Sequence, residues 1–274
     1  MSSDFDDSLR DRIGAMMAAG LTTRTEPFPE TDKEFGERCR GGLAMTSDNA
    51  LAGLYPHMAA QGAARPDPAA MDAALLESVR QKAADSVSVK QLFFADNALH
   101  IVAAAQMLAR CYRAGGRLYT MGNGGSSCDA AHLAVEFQHP VTAGRPALPA
   151  VNLSQDMAMI TAVANDVGFA HVYTRQVLAH VSERDCLVGI STSGNSENLL
   201  AGFLAAKRQG AATLGLAGDD GGRMRASTEV DLCLVVPTDS IHRVQETHVA
   251  LYHILWDLTH TLLADDRGPG KAAR

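Results

Sequence analysis

The sequence predicts an α/β fold built on a five-stranded parallel sheet with crossover helices. Three observations lead there. Short apolar runs at 117–121, 150–153, 186–190, 213–216 and 232–236 alternate with helical stretches, the pattern of strands joined by helical crossovers. Two Gly/Ser-rich loops follow the first and third runs directly, at the strand carboxyl ends where such sheets hold ligands. Apolar residues at helical spacing flank the alternation on both sides.

Taken in order, residues 1–70 differ from the rest. Residues 6–19 suit a short helix, after which Pro27, Pro29, Gly36, Gly41, Gly42, Pro56, Pro66 and Pro68 punctuate the chain. This segment reads as a partly helical N-terminal extension whose role is not legible. From Pro68 the pattern becomes regular: one helix to about residue 89, then a second over 89–113 with Leu92, Ala95, Leu99, Val102, Ala103, Met107 and Leu108 on its apolar positions. Gly115-Gly116 suits its C-terminus. After the sheet region, residues 241–263 form a long helix with polar residues inside an apolar face. The expected division is 1–70 extension, 71–264 α/β domain and 265–274 flexible tail.

Composition narrows the function. Hydrophobic residues make up 46% of the 274, enough for a sizeable core. The formal net charge of −7 argues against a nucleic-acid partner, which needs clustered Lys and Arg. It leaves small anions open, because backbone N–H groups bind phosphate without a lysine. Five scattered cysteines with no C-x-x-C pair read as reduced thiols in a cytoplasmic protein. Residues 1–7 lack the basic and apolar regions of a secretory signal. No apolar run approaches the roughly 20 residues that span a bilayer, so no membrane partner is expected.

The loop Ser191-Thr192-Ser193-Gly194-Asn195-Ser196 carries four hydroxyls in six residues ahead of a helix. Short donors, free helix N-terminal N–H groups and a glycine that lets the backbone approach are what a phosphate needs; an ordinary serine-capped turn is the plainer alternative. The loop Gly122-Asn123-Gly124-Gly125-Ser126-Ser127 is not a dinucleotide fingerprint: the third glycine of G-x-G-x-x-G would fall at Ser127, and no acidic residue lies in 140–149. Nor is it a Walker A loop, since no Gly-Lys-Ser follows.

His132 and Glu136 lie four apart and share a helix face, while Gln245 and His253 lie eight apart on the last helix. Two imidazoles, a carboxylate and an amide oxygen suit Zn²⁺ or a similar divalent ion. Equally, a helical His/Glu pair is a common surface contact, and His242, His248 and His260 show a helix simply rich in histidine.

The runs GNGGSSCDAAHLAVE (122–136), ANDVGF (164–169), ISTSGNS (190–196), LGLAGDDGG (214–222) and RVQETHVALYH (243–253) resemble the phosphoheptose isomerases of the sugar-isomerase (SIS) fold family. The likeness covers residues 72–263, with the five motifs in order. It implies an SIS-type, flavodoxin-like sheet and a homotetramer with sites near subunit interfaces. The implied activity interconverts sedoheptulose 7-phosphate and D-glycero-D-manno-heptose 7-phosphate through an enediol. Zinc ligands would fall on His132, Glu136, Gln245 and His253, and phosphate contacts on Ser191, Thr192, Ser193 and Ser196. Further substrate contacts would fall on Asn123, Gly124, Gly125, Asn165 and Asp166, with Gln245 also facing the sugar. Glu136 would take the proton and His253 deliver or relay one.

Three features depart from that family: Val135 stands where a second Glu is usual, Pro140 where an Arg contacts the site, and the N-terminal extension is extra. The first two sit beside the sugar, so an isomerase of another phosphosugar is an alternative. A non-catalytic SIS sugar-phosphate-binding or regulatory protein is another, against which all four candidate ligands speak.

Overall fold

The computed structural model describes residues 68–142 and 144–265. The expected helix at 6–19 and the tail beyond residue 265 lie outside these residues. Packing divides the chain between Val79 and Arg80, and the described part of the first unit is helix alone.

The elements are α1 (Pro68–Arg113), β1 (Leu118–Gly122), α2 (Gly125–Gln138), β2 (Ala150–Asn152), α3 (Met157–Asp166), a 3-10 turn (Phe169–His171), α4 (Thr174–His180), β3 (Cys186–Ser191), α5 (Glu197–Arg208), β4 (Ala212–Gly218), α6 (Gly222–Ala226), β5 (Leu232–Val236) and α7 (Ile241–Asp265). The five strands are all parallel, in the order β2-β1-β3-β4-β5. That is the flavodoxin-like order, whose switch point lies between β1 and β3. The two polar loops leave those two strands.

The two helices expected over 68–89 and 89–113 are one continuous helix of 46 residues. Nothing between them breaks a helix: no Gly or Pro follows Pro68 until Gly115, and Pro68 itself occupies the first helical position, where its missing N–H costs nothing. At the other end Gly115, at φ 73°, closes a Schellman turn with Gly116 N donating to Cys111 O at 2.9 Å. The segment Met71–Arg113 is also long and apolar enough to cross a bilayer, which the sequence reading did not expect. Its apolarity has a visible use. Phe93, Ile101, Ala104, Met107 and Leu108 are buried against the sheet.

Strand side chains alternate between two cores. Leu118, Cys186, Val188, Ile190, Leu214, Leu216 and Leu234 face α1, α2 and α7. Tyr119, Met121, Leu187 and Ala217 face the opposite core, filled by Val163, Val172, Val177, Leu199, Phe203 and Met224. Phe137, fully buried at the end of α2, lies against Tyr112 and stacks on His260. Ser86 of α1 donates to Glu246 of α7 at 2.6 Å, and Arg243 Nη1 donates to Lys82 O. These contacts fix the register of α7, and with it Gln245 and His253, against the rest of the domain.

Candidate functional site

The first loop turns tightly from β1 into α2. Gly124 adopts φ 53°, ψ −124°, a conformation that L side chains rarely adopt. Gly125 leaves no room for a Cβ, which would sit 2.2 Å from Gln245 Nε2. The glycine is therefore what lets the Gln245 amide lie against the backbone. Tyr173 O–H and Ser154 O–H both donate to Gly122 O. The Asn123 amide makes a reciprocal pair with Asn198, at 2.9 and 2.8 Å. Asn198 is 2% exposed at the start of α5, so this pair ties the first loop to the second.

In the second loop two of the four hydroxyls meet. Ser191 Oγ and Ser196 Oγ are 3.0 Å apart. Ser196 is the N-cap of α5 but makes no side-chain cap bond, so its hydroxyl is spent toward Ser191 and not on its own helix. Gly194 has φ 65°, and a Cβ there would meet Gly221 O at 2.0 Å. The β4–α6 turn closes over the loop: Met224 N donates to Gly194 O and Arg223 N to Asn195 Oδ1. Arg223 Nη1 lies 3.3 Å from Glu197 Oε1, bringing a guanidinium to the rim. Thr192 is half-buried and Ser193 exposed. Asn165 and Asp166 end α3, exposed and hydrogen-bonded to each other at 2.9 Å. No hydrogen bond joins them to either loop.

His132, Glu136 and His253 come together between α2 and α7, with one potential ligand atom from each all within 4.8 Å of one another. His132 Nε2 is 3.1 Å from Glu136 Oε1, His253 Nε2 is 4.0 Å from the same oxygen, and the imidazoles stand edge-on with centroids 5.1 Å apart. Two neutral-capable imidazoles around a carboxylate make a donor set suited to a divalent cation. Gln245 stands roughly 12 Å back along α7 from His253, at 1.5 Å per residue. Its amide is packed against Gly125. His132 itself is roughly 10 Å along α2 from the first loop.

Two neighbours escaped the sequence reading. Tyr252, fully buried, places its hydroxyl 2.7 Å from His132 Nδ1. Asp129, one turn before His132, is 8% exposed and has a buried Oδ2 with no hydrogen-bond partner. Burial pushes its carboxyl up to about 6, partly offset by His132. The signal for both was positional: each lies within one turn of a candidate ligand.

Fold and site together define a sugar-phosphate isomerase of the SIS type, and the comparisons agree. The SIS domain profile matches residues 83–218. The phosphoheptose isomerase of Desulfovibrio desulfuricans is 41% identical over 196 residues, which cover 72% of this chain and 92% of that protein. The phosphoheptose isomerase structures from Neisseria gonorrhoeae and Francisella tularensis superpose with TM-scores of 0.64 and 0.65, at 36% and 32% identity. Each match covers 68% of this chain, and 99% and 98% of the respective structure. The chain belongs to the phosphoheptose isomerase family and is an aldose–ketose isomerase.

Proposed function

We propose that the chain interconverts sedoheptulose 7-phosphate and D-glycero-D-manno-heptose 7-phosphate, with its phosphate held by Ser191, Thr192, Ser193 and Ser196. The observation that carries this is the convergence of His132, Glu136 and His253 within one domain that also carries the hydroxyl loop. The names of the relatives supply the substrate class.

Exchange of ketose and aldose moves one proton between adjacent carbons through an enediol. Glu136 is the base that takes the proton from carbon and returns it to the neighbour. His253, half exposed beside it, hands protons to and from the sugar oxygens. Asn123, held by Asn198, and the Gly124–Gly125 backbone orient the chain of the sugar, with Asn165, Asp166 and Gln245 as further contacts. A zinc or similar divalent ion held by His132, Glu136 and His253, with Gln245 as the fourth donor once its amide turns, would supply Lewis acidity that lowers the energy of charge developing on the sugar oxygens.

The enzyme works as a cytoplasmic homotetramer. Val135 and Ile254, the exposed neighbours of Glu136 and His253, offer apolar surface beside the site for a second subunit to cover. All four described cysteines are free, as reducing surroundings favour. Val135 and Pro140 favour a second reading, an isomerase of a different phosphosugar. The family's arginine is missing, and Arg145 does not replace it: it lies 4.5 Å over Trp256 and pairs with Asp257. Incubation with sedoheptulose 7-phosphate and a panel of pentose and hexose phosphates, with products identified by NMR, decides between them. The heptose aldose is the expected product; turnover of a panel sugar alone would replace this reading with the second.

A further inference from the structure

We propose that Tyr252 is a positioning residue for His132, its hydroxyl donating to Nδ1 in the metal-free protein and accepting from Nδ1–H once Nε2 binds a divalent cation. The inference rests on the metal reading above for its second half only.

The metal-free state follows from donors and acceptors. Glu136 Oε1 lies 3.1 Å from His132 Nε2, and a carboxylate only accepts. In a neutral imidazole the proton is then on Nε2, Nδ1 presents a lone pair, and the Tyr252 hydroxyl 2.7 Å away is placed to donate to it. A cation on Nε2 needs the lone pair of that nitrogen, so the ring proton must then reside on Nδ1. The Nδ1 partner must then accept, which a phenol oxygen does and a methyl or ring carbon does not. The hydroxyl hydrogen then turns away from His132, where the buried Asp129, with its unpartnered Oδ2, stands one turn earlier on the same helix. The ring is held for this. Tyr252 is fully buried and stands edge-on to both His132 and His253, with centroids 5.1 Å away. Packing alone would be served by phenylalanine.

The test uses the full-length protein and Tyr252→Phe. Cobalt(II) titration followed by its visible absorption should show binding weakened about 10- to 100-fold in the variant, the usual effect of losing a partner behind a metal-bound histidine. Long-range ¹H–¹⁵N spectra of histidine-labelled protein should show His132 as the Nε2–H form without metal and as the Nδ1–H form with zinc. In metal-free Tyr252→Phe the His132 signals should shift toward a mixture. Unchanged cobalt affinity, or no Nδ1–H in the zinc-loaded wild type, overturns the proposal. The wild-type spectra alone decide it if the variant does not fold. If the wild type binds no metal at all, the metal reading falls and the accepting state with it. The donor state then stands or falls on whether metal-free His132 shows the Nε2–H form.

Discussion

At the scale of single residues the proposed roles separate binding from chemistry. Glu136 is the only carboxylate in the His132–Glu136–His253 cluster, so Glu136→Gln should lower kcat by about 10²- to 10⁴-fold with KM little changed, the usual worth of a general base. Ser193→Ala removes one hydroxyl from a charged ligand. It should raise KM about 10-fold and leave kcat nearly intact. Steady-state kinetics on both variants checks the split. The face shared by His132 and Glu136 was legible in the sequence from a spacing of four along a helix; that His253 comes to it depends on the packing of α7 against α2, which spacing does not encode. Tyr252 and Asp129 were not legible, because a buried tyrosine or aspartate in a helical pattern reads as core until its partner atom is known. Arg223 escaped for a different reason, since only the closure of one loop over another brings it to the rim.

At the scale of elements, the strands were legible to within one or two residues, since each apolar run lies between polar loops. The division of α1 was misread. Val87 and Val89 have weak helix preference, yet weak preference without a glycine or proline does not stop a helix whose other side is packed. Helix α7 carries a testable electrostatic consequence. His248, fully buried with Nε2 on Ala217 O, is pushed down by burial from 6.5 to about 4. Its folded value lies below its unfolded one. The stability it contributes is thus present above about pH 6.5 and lost as pH falls toward 4. Asp129 runs the other way: raised from 3.8 to about 6, it contributes stability at low pH that is lost as pH rises through 6. Comparing wild type with His248→Gln isolates the histidine. In urea melts the wild-type advantage at pH 7 should shrink by on the order of 3 kcal/mol at pH 4; a difference independent of pH would contradict the assignment.

At the scale of the whole molecule, the sheet order was legible only through the family likeness, because strand order is a long-range property that periodicity does not encode. Burial also sorts the thiols. Cys111 and Cys233 are pushed up to about 12 and Cys186 is raised as well, all chiefly by desolvation, while Cys128 is exposed on α2. A thiol reagent at neutral pH should label Cys128 and spare Cys111, Cys186 and Cys233 in folded protein, as peptide mapping would show. The sheet order has one more consequence, for how the chain comes to be folded. Leu118 of β1 pairs with Cys186 of β3, and β2, α3 and α4 all lie between them in sequence. Until β3 has been made, β1 has as a neighbour only the three-residue β2. A chain emerging from the ribosome therefore carries its first loop and all of α2 well before the centre of the sheet can exist. Closing so long an intervening segment is the entropic toll that slows non-local topologies. The two loops proposed to hold the ligand leave the strands of that central pair, so on this reading the site is among the last things the growing chain acquires.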